Sequence, residues 1–233
     1  MKNECRIPRP ERVSSGCGPL DALLGGGFER RTITQFYGEP ASGKSTLCVI
    51  AAVACLRSGR GVVFIDTEGF SIERFSQIAG TEAEFLAEKL FLFEPVDFDQ
   101  QGIMIAGSEQ VLRTGDPGMI ILDSATGLYR TNLERGRDAM QRLTKQMVHL
   151  LGLAKRYNIP ALITNQVYMD TVRNTYFGLG GTALEHISKA IILTSRVNGY
   201  RRAMLMKHRS QPPGGSFDFE ITHSGVEIRT TGH

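Results

Sequence analysis

Residues 38–45 read Gly-Glu-Pro-Ala-Ser-Gly-Lys-Ser, a full G-x-x-x-x-G-K-[ST] pattern, and the segments on either side of it limit what the chain can fold into. Thr32 to Tyr37 alternates as a strand does, while Lys44 onward (STLCVIAAVACL) is rich in Ala and Leu and stops at Ser58-Gly59, as a helix would. The loop therefore joins strand to helix. Glycines at 38 and 43 allow backbone N–H groups to turn inward on a triphosphate, and the helix N-terminus adds its positive partial charge. The set of residues predicted to hold ATP is Gly38, Glu39, Pro40, Ala41, Ser42, Gly43, Lys44, Ser45 and Thr46. Within it Lys44 reaches the β and γ phosphates and the Ser45 hydroxyl holds Mg²⁺.

A chain of 233 residues is long enough for one large α/β domain with a full core. The expected organisation is a short extension over residues 1–13 followed by a core over 14–233. A formal charge of +3 with 22% charged residues is too mild to establish a nucleic-acid partner, so that inference has to rest on local clusters. The four cysteines form no C-x-x-C, and Cys48 and Cys55 read as small buried thiols on one face of the helix after the loop. No apolar stretch reaches membrane-spanning length, and Met1 to Arg12 is charged and Pro-containing rather than a signal peptide, so the expectation is a cytoplasmic protein with no membrane partner.

Short apolar runs alternate with helical stretches. Strands are predicted at Thr32–Tyr37, Gly61–Asp66, Lys89–Phe93, Met119–Asp123 and Ala161–Asn165, and helices near 44–58, 72–88, 98–113 and 137–157. This is the rhythm of a parallel sheet flanked by helices. After residue 185 shorter runs follow, Ala190–Arg196, Ala203–His208, Ser216–Ile221 and Val226–Ile228, divided by Asn198-Gly199, Pro212-Pro213-Gly214-Gly215 and Ser224-Gly225. These are hairpin signals, which predict antiparallel strands at the far edge of the sheet. Before the loop, Pro19 opens a short helix that glycine closes.

In an open α/β sheet ligands bind at the carboxyl ends of the strands, and three of those ends carry polar residues. Met-Ile-Ile-Leu-Asp-Ser (119–124) places Asp123 after a buried strand, where a carboxylate orients a Mg²⁺ shell through water. Val-Val-Phe-Ile-Asp-Thr-Glu (62–68) puts Glu68 where it can align or deprotonate an attacking water. Leu-Ile-Thr-Asn-Gln (162–166) ends in Gln166, a neutral hydrogen-bonder able to sense a γ phosphate. With Lys44, Glu68 and Gln166 form the predicted catalytic set.

The ordered series LDALLGGG, GEPASGKST, FIDTEG followed by ERF, MIILDSATGLYRT and ALITNQV resembles the RecA-like recombinase core of the archaeal RadA and eukaryotic recombinases, from about Ser14 to Ile228. RadA-type recombinases also carry an N-terminal helix-hairpin-helix domain and a Phe-x-x-Ala docking segment, whereas thirteen residues precede Ser14 here and none is Phe. The resemblance is therefore to the short archaeal recombinase paralogue, and Lys207-His208-Arg209 followed by a Pro-Gly turn and a final strand pair fits it. Single-domain KaiC-like signalling ATPases share the core and stand as an alternative.

The resemblance implies further roles. Glu73-Arg74 match an E-R whose Arg lies over adenine, although the spacing after Glu68 is one residue shorter than usual. Lys207 and Arg209 are implied to act across a protomer interface on a neighbour's γ phosphate, and alternation along a strand points them to one face. Binding of single-stranded DNA is implied for two loops, Gly127–Arg137 with Arg130, Arg135 and Arg137, and Tyr168–Thr182 with Arg173, Tyr176 and Phe177. Arginines neutralise phosphates while aromatic rings stack on unpaired bases. The implied activity is slow ATP hydrolysis by an accessory that assists a main RadA-type recombinase in DNA recombination and repair, with homo-oligomer formation open; the other reading is an autonomous DNA-dependent ATPase that performs strand exchange.

Overall fold

Val62 and Phe64 fall on one side of their strand and Val63 and Ile65 on the other, so a strand apolar at every position has to be covered on both faces. The computed structural model, which describes residues 11–170 and 175–229, builds such a sheet. The chain enters through β1 (Arg12–Val13), passes α1 (Gly18–Leu23) and returns in β2 (Phe28–Glu29), antiparallel to β1. Arg12 and Val13, assigned above to the extension, are thereby paired with residues that lead directly into the sheet. Then come β3 (Ile33–Gly38), α2 (Lys44–Arg57), β4 (Gly61–Asp66), α3 (Ile72–Ala79), α4 (Ala83–Ala87) and β5 (Leu90–Phe93). They are followed by α5 (Phe98–Gly107), α6 (Glu109–Thr114), β6 (Pro117–Asp123), α7 (Arg137–Arg156), β7 (Ala161–Asp170) and β8 (Thr175–Gly178). The chain closes with α8 (Gly181–Ile187), β9 (Ser188–Val197), β10 (Tyr200–His208), β11 (Ser216–Thr222) and β12 (Gly225–Arg229).

The strand order is β12-β11-β10-β9-β3-β7-β6-β4-β5. Strands from β9 across to β5 run parallel, while β10, β11 and β12 are antiparallel, as the hairpin signals predict. Asn198 and Gly199 both take positive φ (43° and 95°), the pair of left-handed positions that a two-residue hairpin with the right twist demands. One face of the sheet, through Phe36, Val62, Phe64, Met119, Ile121 and Leu162, is covered by α2, α3 and α4. The other, through Ile33, Val63, Ile65, Ile120, Leu122 and Ile163, is covered by α5, α6 and α7. Small residues of α2 (Ala51, Ala52, Cys48, Cys55) let its backbone lie close on the sheet, and the two thiols are buried as expected. Each large apolar side chain removed from water in these layers contributes about 1.5–3 kcal/mol.

Four elements differ from the sequence expectation. The predicted helix over 72–88 is cut at Gly80, which adopts φ +64° and opens a single 3-10 turn before α4. The one over 98–113 is cut at Ser108, whose hydroxyl donates to the Ile105 carbonyl and so competes with the helical ladder. Residues 129–135 of the first loop wind into a 3-10 helix leading to α7. The second loop is a hairpin: β7 continues past Asn165 and pairs antiparallel with β8, Val167 opposite Gly178 and Asp170 opposite Thr175.

Candidate active site

Parallel pairing in register brings four strand ends to one edge. Gly38 lies beside Gln166, and Asp66 beside Asp123. At Gly38 a Cβ would stand 1.9 Å from the Thr194 carbonyl oxygen of β9, so no larger residue fits where the loop leaves the sheet. Gly43, at φ +98°, turns the chain into α2 so that the helix N-terminus faces the loop. Ser42 and Thr194 share a 2.7 Å hydrogen bond between hydroxyls, which pins the loop to β9. The Lys44 ammonium donates to the carbonyls of Gly38 (2.8 Å) and Glu39 (2.9 Å), folding the side chain back over its own loop. Burial lowers its pKa, while the carboxylates of Glu68 and Asp123 oppose that shift. A cavity of about 250 Å³ opens over Pro40–Thr46, with Glu68 and Arg201 on its walls.

Asp123 is buried, and burial raises its pKa against hydrogen bonds from the Thr164 and Ser45 hydroxyls. Its neighbour Asp66 is likewise buried and is pushed up to about 6, first by desolvation, with the Gly69 amide (2.6 Å) working the other way. Glu68 is exposed at the mouth. Its Oε1 accepts from the Ser124 hydroxyl at 2.7 Å and from the Gln166 side-chain amide at 2.6 Å. The predicted base and the predicted phosphate sensor are thus hydrogen-bonded to each other, and the Gln166 Oε1 is buried with no partner among the described residues. Around them, Thr126 donates to the Asn165 Oδ1 (2.8 Å) and accepts from the Gln166 backbone N–H (3.1 Å). Asn165 donates to the Leu179 carbonyl, and the Leu179 N–H donates to the Gln166 carbonyl, both at 2.8 Å.

The phosphate loop, Asp123, Glu68 and Gln166 are therefore brought together. Arg74 lines a small adjoining cavity with Thr46, Val49 and Phe70, but its guanidinium is turned to the β11–β12 turn, donating to the carbonyls of Thr222 (2.7 Å), His223 (3.0 Å) and Gly225 (2.7 Å). Lys207 donates to the Glu185 carbonyl, and Arg209, beyond the end of β10, pairs with Glu29 at 3.0 Å. β10 ends at His208, so Arg209 lies outside the strand alternation on which a shared face with Lys207 was predicted. Arg130 and Arg137 are exposed at the two ends of the segment after β6. Arg173 lies outside the described residues, as do the side chains of Arg135, Tyr176 and Phe177, although the backbone of the last two is in β8. Sequence reasoning missed Asp66, Ser124, Thr126, Thr164, Asn165 and Arg201. Asp66, Ser124, Thr164 and Asn165 lie inside the strand-end motifs already singled out and Thr126 two residues beyond one of them, so attention to every polar residue of each end would have found them. Arg201 comes from β10, whose approach to the loop depends on the strand order.

A phosphate loop after β3, carboxylates at the ends of β4 and β6, and an amide on β7 where its pairing with β3 stops define a RecA-like P-loop ATPase core. The Rad51 family model matches residues 10–228. A DNA repair and recombination protein RadB of Methanoculleus marisnigri is 61% identical over 220 residues, 94% of this chain and 98% of the relative. The RadB of Methanococcoides burtonii is 43% identical over 93% of this chain and 97% of its own length. The crystal structure of the RadB recombinase matches with a TM-score of 0.80 at 34% identity, covering 94% of this chain and all of that one. The chain belongs to the Rad51 family and, within it, to the RadB group.

Proposed function

We propose that this chain is an ATP- and DNA-binding recombination accessory that hydrolyses ATP slowly and assists a RadA-type recombinase in homologous recombination and repair. The observation that carries the reading is the hydrogen bond between Glu68 and Gln166, which joins a would-be general base to a would-be phosphate sensor directly above the loop. Membership of a family of ATPases supports hydrolysis, and relatives of nearly the same extent named for DNA repair and recombination support the pathway.

In this reading Lys44 leaves the carbonyls of Gly38 and Glu39 to meet the β and γ phosphates of ATP, and the N–H groups of the loop surround them. Glu68 accepts a proton from the water that attacks the γ phosphorus, and Gln166 donates to a γ-phosphate oxygen. Ser45 and Asp123 fit Mg²⁺: a buried carboxylate whose pKa is raised by desolvation, beside a hydroxyl, is relieved by a cation. Bound there, Mg²⁺ would neutralise charge on the phosphate oxygens. Among the described residues no group of three or more metal-ligating side chains forms, which accords with an ion held mostly by phosphates and water. Single-stranded DNA would lie along Arg130, Arg135, Arg137 and the β7–β8 hairpin with Arg173, Tyr176 and Phe177.

Strand-exchange assays test the role. The chain alone is expected to exchange strands poorly, and to raise the yield or rate of a full-length RadA-type recombinase in the presence of ATP. Efficient exchange by the chain alone would establish the autonomous enzyme instead, and no effect on either reaction would remove it from recombination.

A further inference from the structure

We propose that Ser124 is a positioning residue through which the first loop controls the carboxylate of Glu68. The proposal deepens the reading above and rests on Glu68 as the base. The Ser124 hydroxyl stands between Glu68 and the start of the first loop. It donates to Glu68 Oε1 at 2.7 Å and accepts from the backbone N–H of Gly127, the first residue of the loop, at 2.8 Å. Ser124 itself has no freedom to follow either partner. It is buried, its N–H donates to the Thr67 hydroxyl at 2.9 Å, and that hydroxyl donates back to its carbonyl at 3.1 Å. With the backbone of Ser124 pinned, only its hydroxyl can reorient, so losing the Gly127 N–H on one side frees the hydroxyl to turn away from Glu68 on the other.

Packing points the same way independently. A Cβ at Gly127 would stand 2.9 Å from both the Ser124 and Thr67 hydroxyls and 3.3 Å from Glu68 Oε1. The loop therefore starts against the carboxylate, with no room for one methyl group between them. Three residues on, the Arg130 N–H donates to the Thr126 carbonyl at 3.1 Å, so the turn that carries the exposed Arg130 side chain is continuous with this junction. A ligand that pulls on Arg130 displaces Gly127, and with it one of the two hydrogen bonds that orient Glu68. The other, from Gln166, runs to the second loop. The base is held by one donor from the residues that lead into each loop, Ser124 before the first and Gln166 before the second.

Single-turnover ATP hydrolysis by the full chain tests this, with and without an oligo-dT strand, in Ser124→Ala, Gly127→Ala, Glu68→Gln and the Ser124→Ala/Glu68→Gln double variant. The expected result is a rate constant lowered on the order of tenfold to a hundredfold in Ser124→Ala, with half-saturating ATP unchanged, because a small displacement of a general base is enough to lose that much. Gly127→Ala should behave in the same way, which keeps the test open if Ser124→Ala fails to bind ATP. In both, the ratio of rates with and without DNA should fall toward one, and Ser124→Ala should have no further effect once Glu68 is Gln. A wild-type rate in Ser124→Ala and Gly127→Ala, a loss that multiplies with that of Glu68→Gln, or an unchanged DNA ratio would overturn the proposal. Glu68→Gln hydrolysing like wild type would instead sink the base assignment, an outcome that its own rate reports separately.

Discussion

Lys44 and Asp66 carry the electrostatics of the site in opposite senses. Lys44 sits among carboxylates in a partly buried pocket with two carbonyls for partners, so removing it leaves the phosphates of ATP without their nearest cation. Lys44→Ala is expected to weaken ATP binding by at least about a hundredfold, and labelled-ATP binding equal to wild type would sink the site. For Asp66, desolvation outweighs the hydrogen bond from Gly69 and lifts the carboxyl from 3.8 to about 6. The sign follows from linkage: an acid whose pKa is higher folded than unfolded adds stability while protonated, and that contribution is lost as pH rises through the folded value. Replacing it by Asn keeps an oxygen for the Gly69 amide. The melting temperature of Asp66→Asn relative to wild type should therefore rise between about pH 4 and about pH 7 and level off above, measured without nucleotide. A difference constant with pH would show that Asp66 is not held in this state.

At the scale of elements, the middle of β7 and the residue that follows β8 form one unit with the sensor. The Gln166 carbonyl and the Asn165 amide both bind Leu179, the residue after β8, so a turn of the Gln166 side chain bears on both stems of the second hairpin. Gln166→Ala should narrow the difference in single-stranded DNA affinity between ATP- and ADP-bound forms, read by fluorescence titration. An unchanged difference would mean that the hairpin does not sense the nucleotide. The elements legible in the sequence were those with a strong period or a turn signal. Five of the six parallel strands (β3, β4, β5, β6 and the start of β7), α2, α7 and the C-terminal meander lie within a few residues of expectation, with Lys44 opening α2 and Asp123, Glu68 and Gln166 at or just past the edge of the parallel pairing. What was not legible depends on single side-chain bonds and on which segments pair. The break at Ser108 comes from one hydroxyl, β8 from its antiparallel pairing with β7, and Arg74's partners from a β11–β12 turn 148 to 151 residues further along the chain. Arg74 reads as a free helix-start cation in the sequence, and its commitment to three carbonyls emerges only once the last hairpin is in place.

For the molecule as a whole, charge is local rather than global. The net +3 on 233 residues gives little general attraction to a polyanion, and no described helix is long and apolar enough to cross a membrane. The arginines after β6 and the β7–β8 hairpin instead leave the sheet at the same edge as the phosphate loop, which puts the proposed DNA surface and the ATP site on one side of the molecule. The central claim is that these two sites work together, and a titration of a fluorescent single-stranded oligonucleotide across several salt concentrations, with ATP and with ADP, tests it most directly. Wild type should bind more tightly with ATP. Replacing Arg130, Arg135 and Arg137 together by Ala should flatten the slope of log affinity against log salt by up to roughly 0.7 for each DNA phosphate that is no longer neutralised, with ATP binding intact. Failure of the wild-type chain to bind DNA with either nucleotide, or a triple variant that keeps the full slope, would contradict the account and favour a KaiC-like signalling ATPase on the same core.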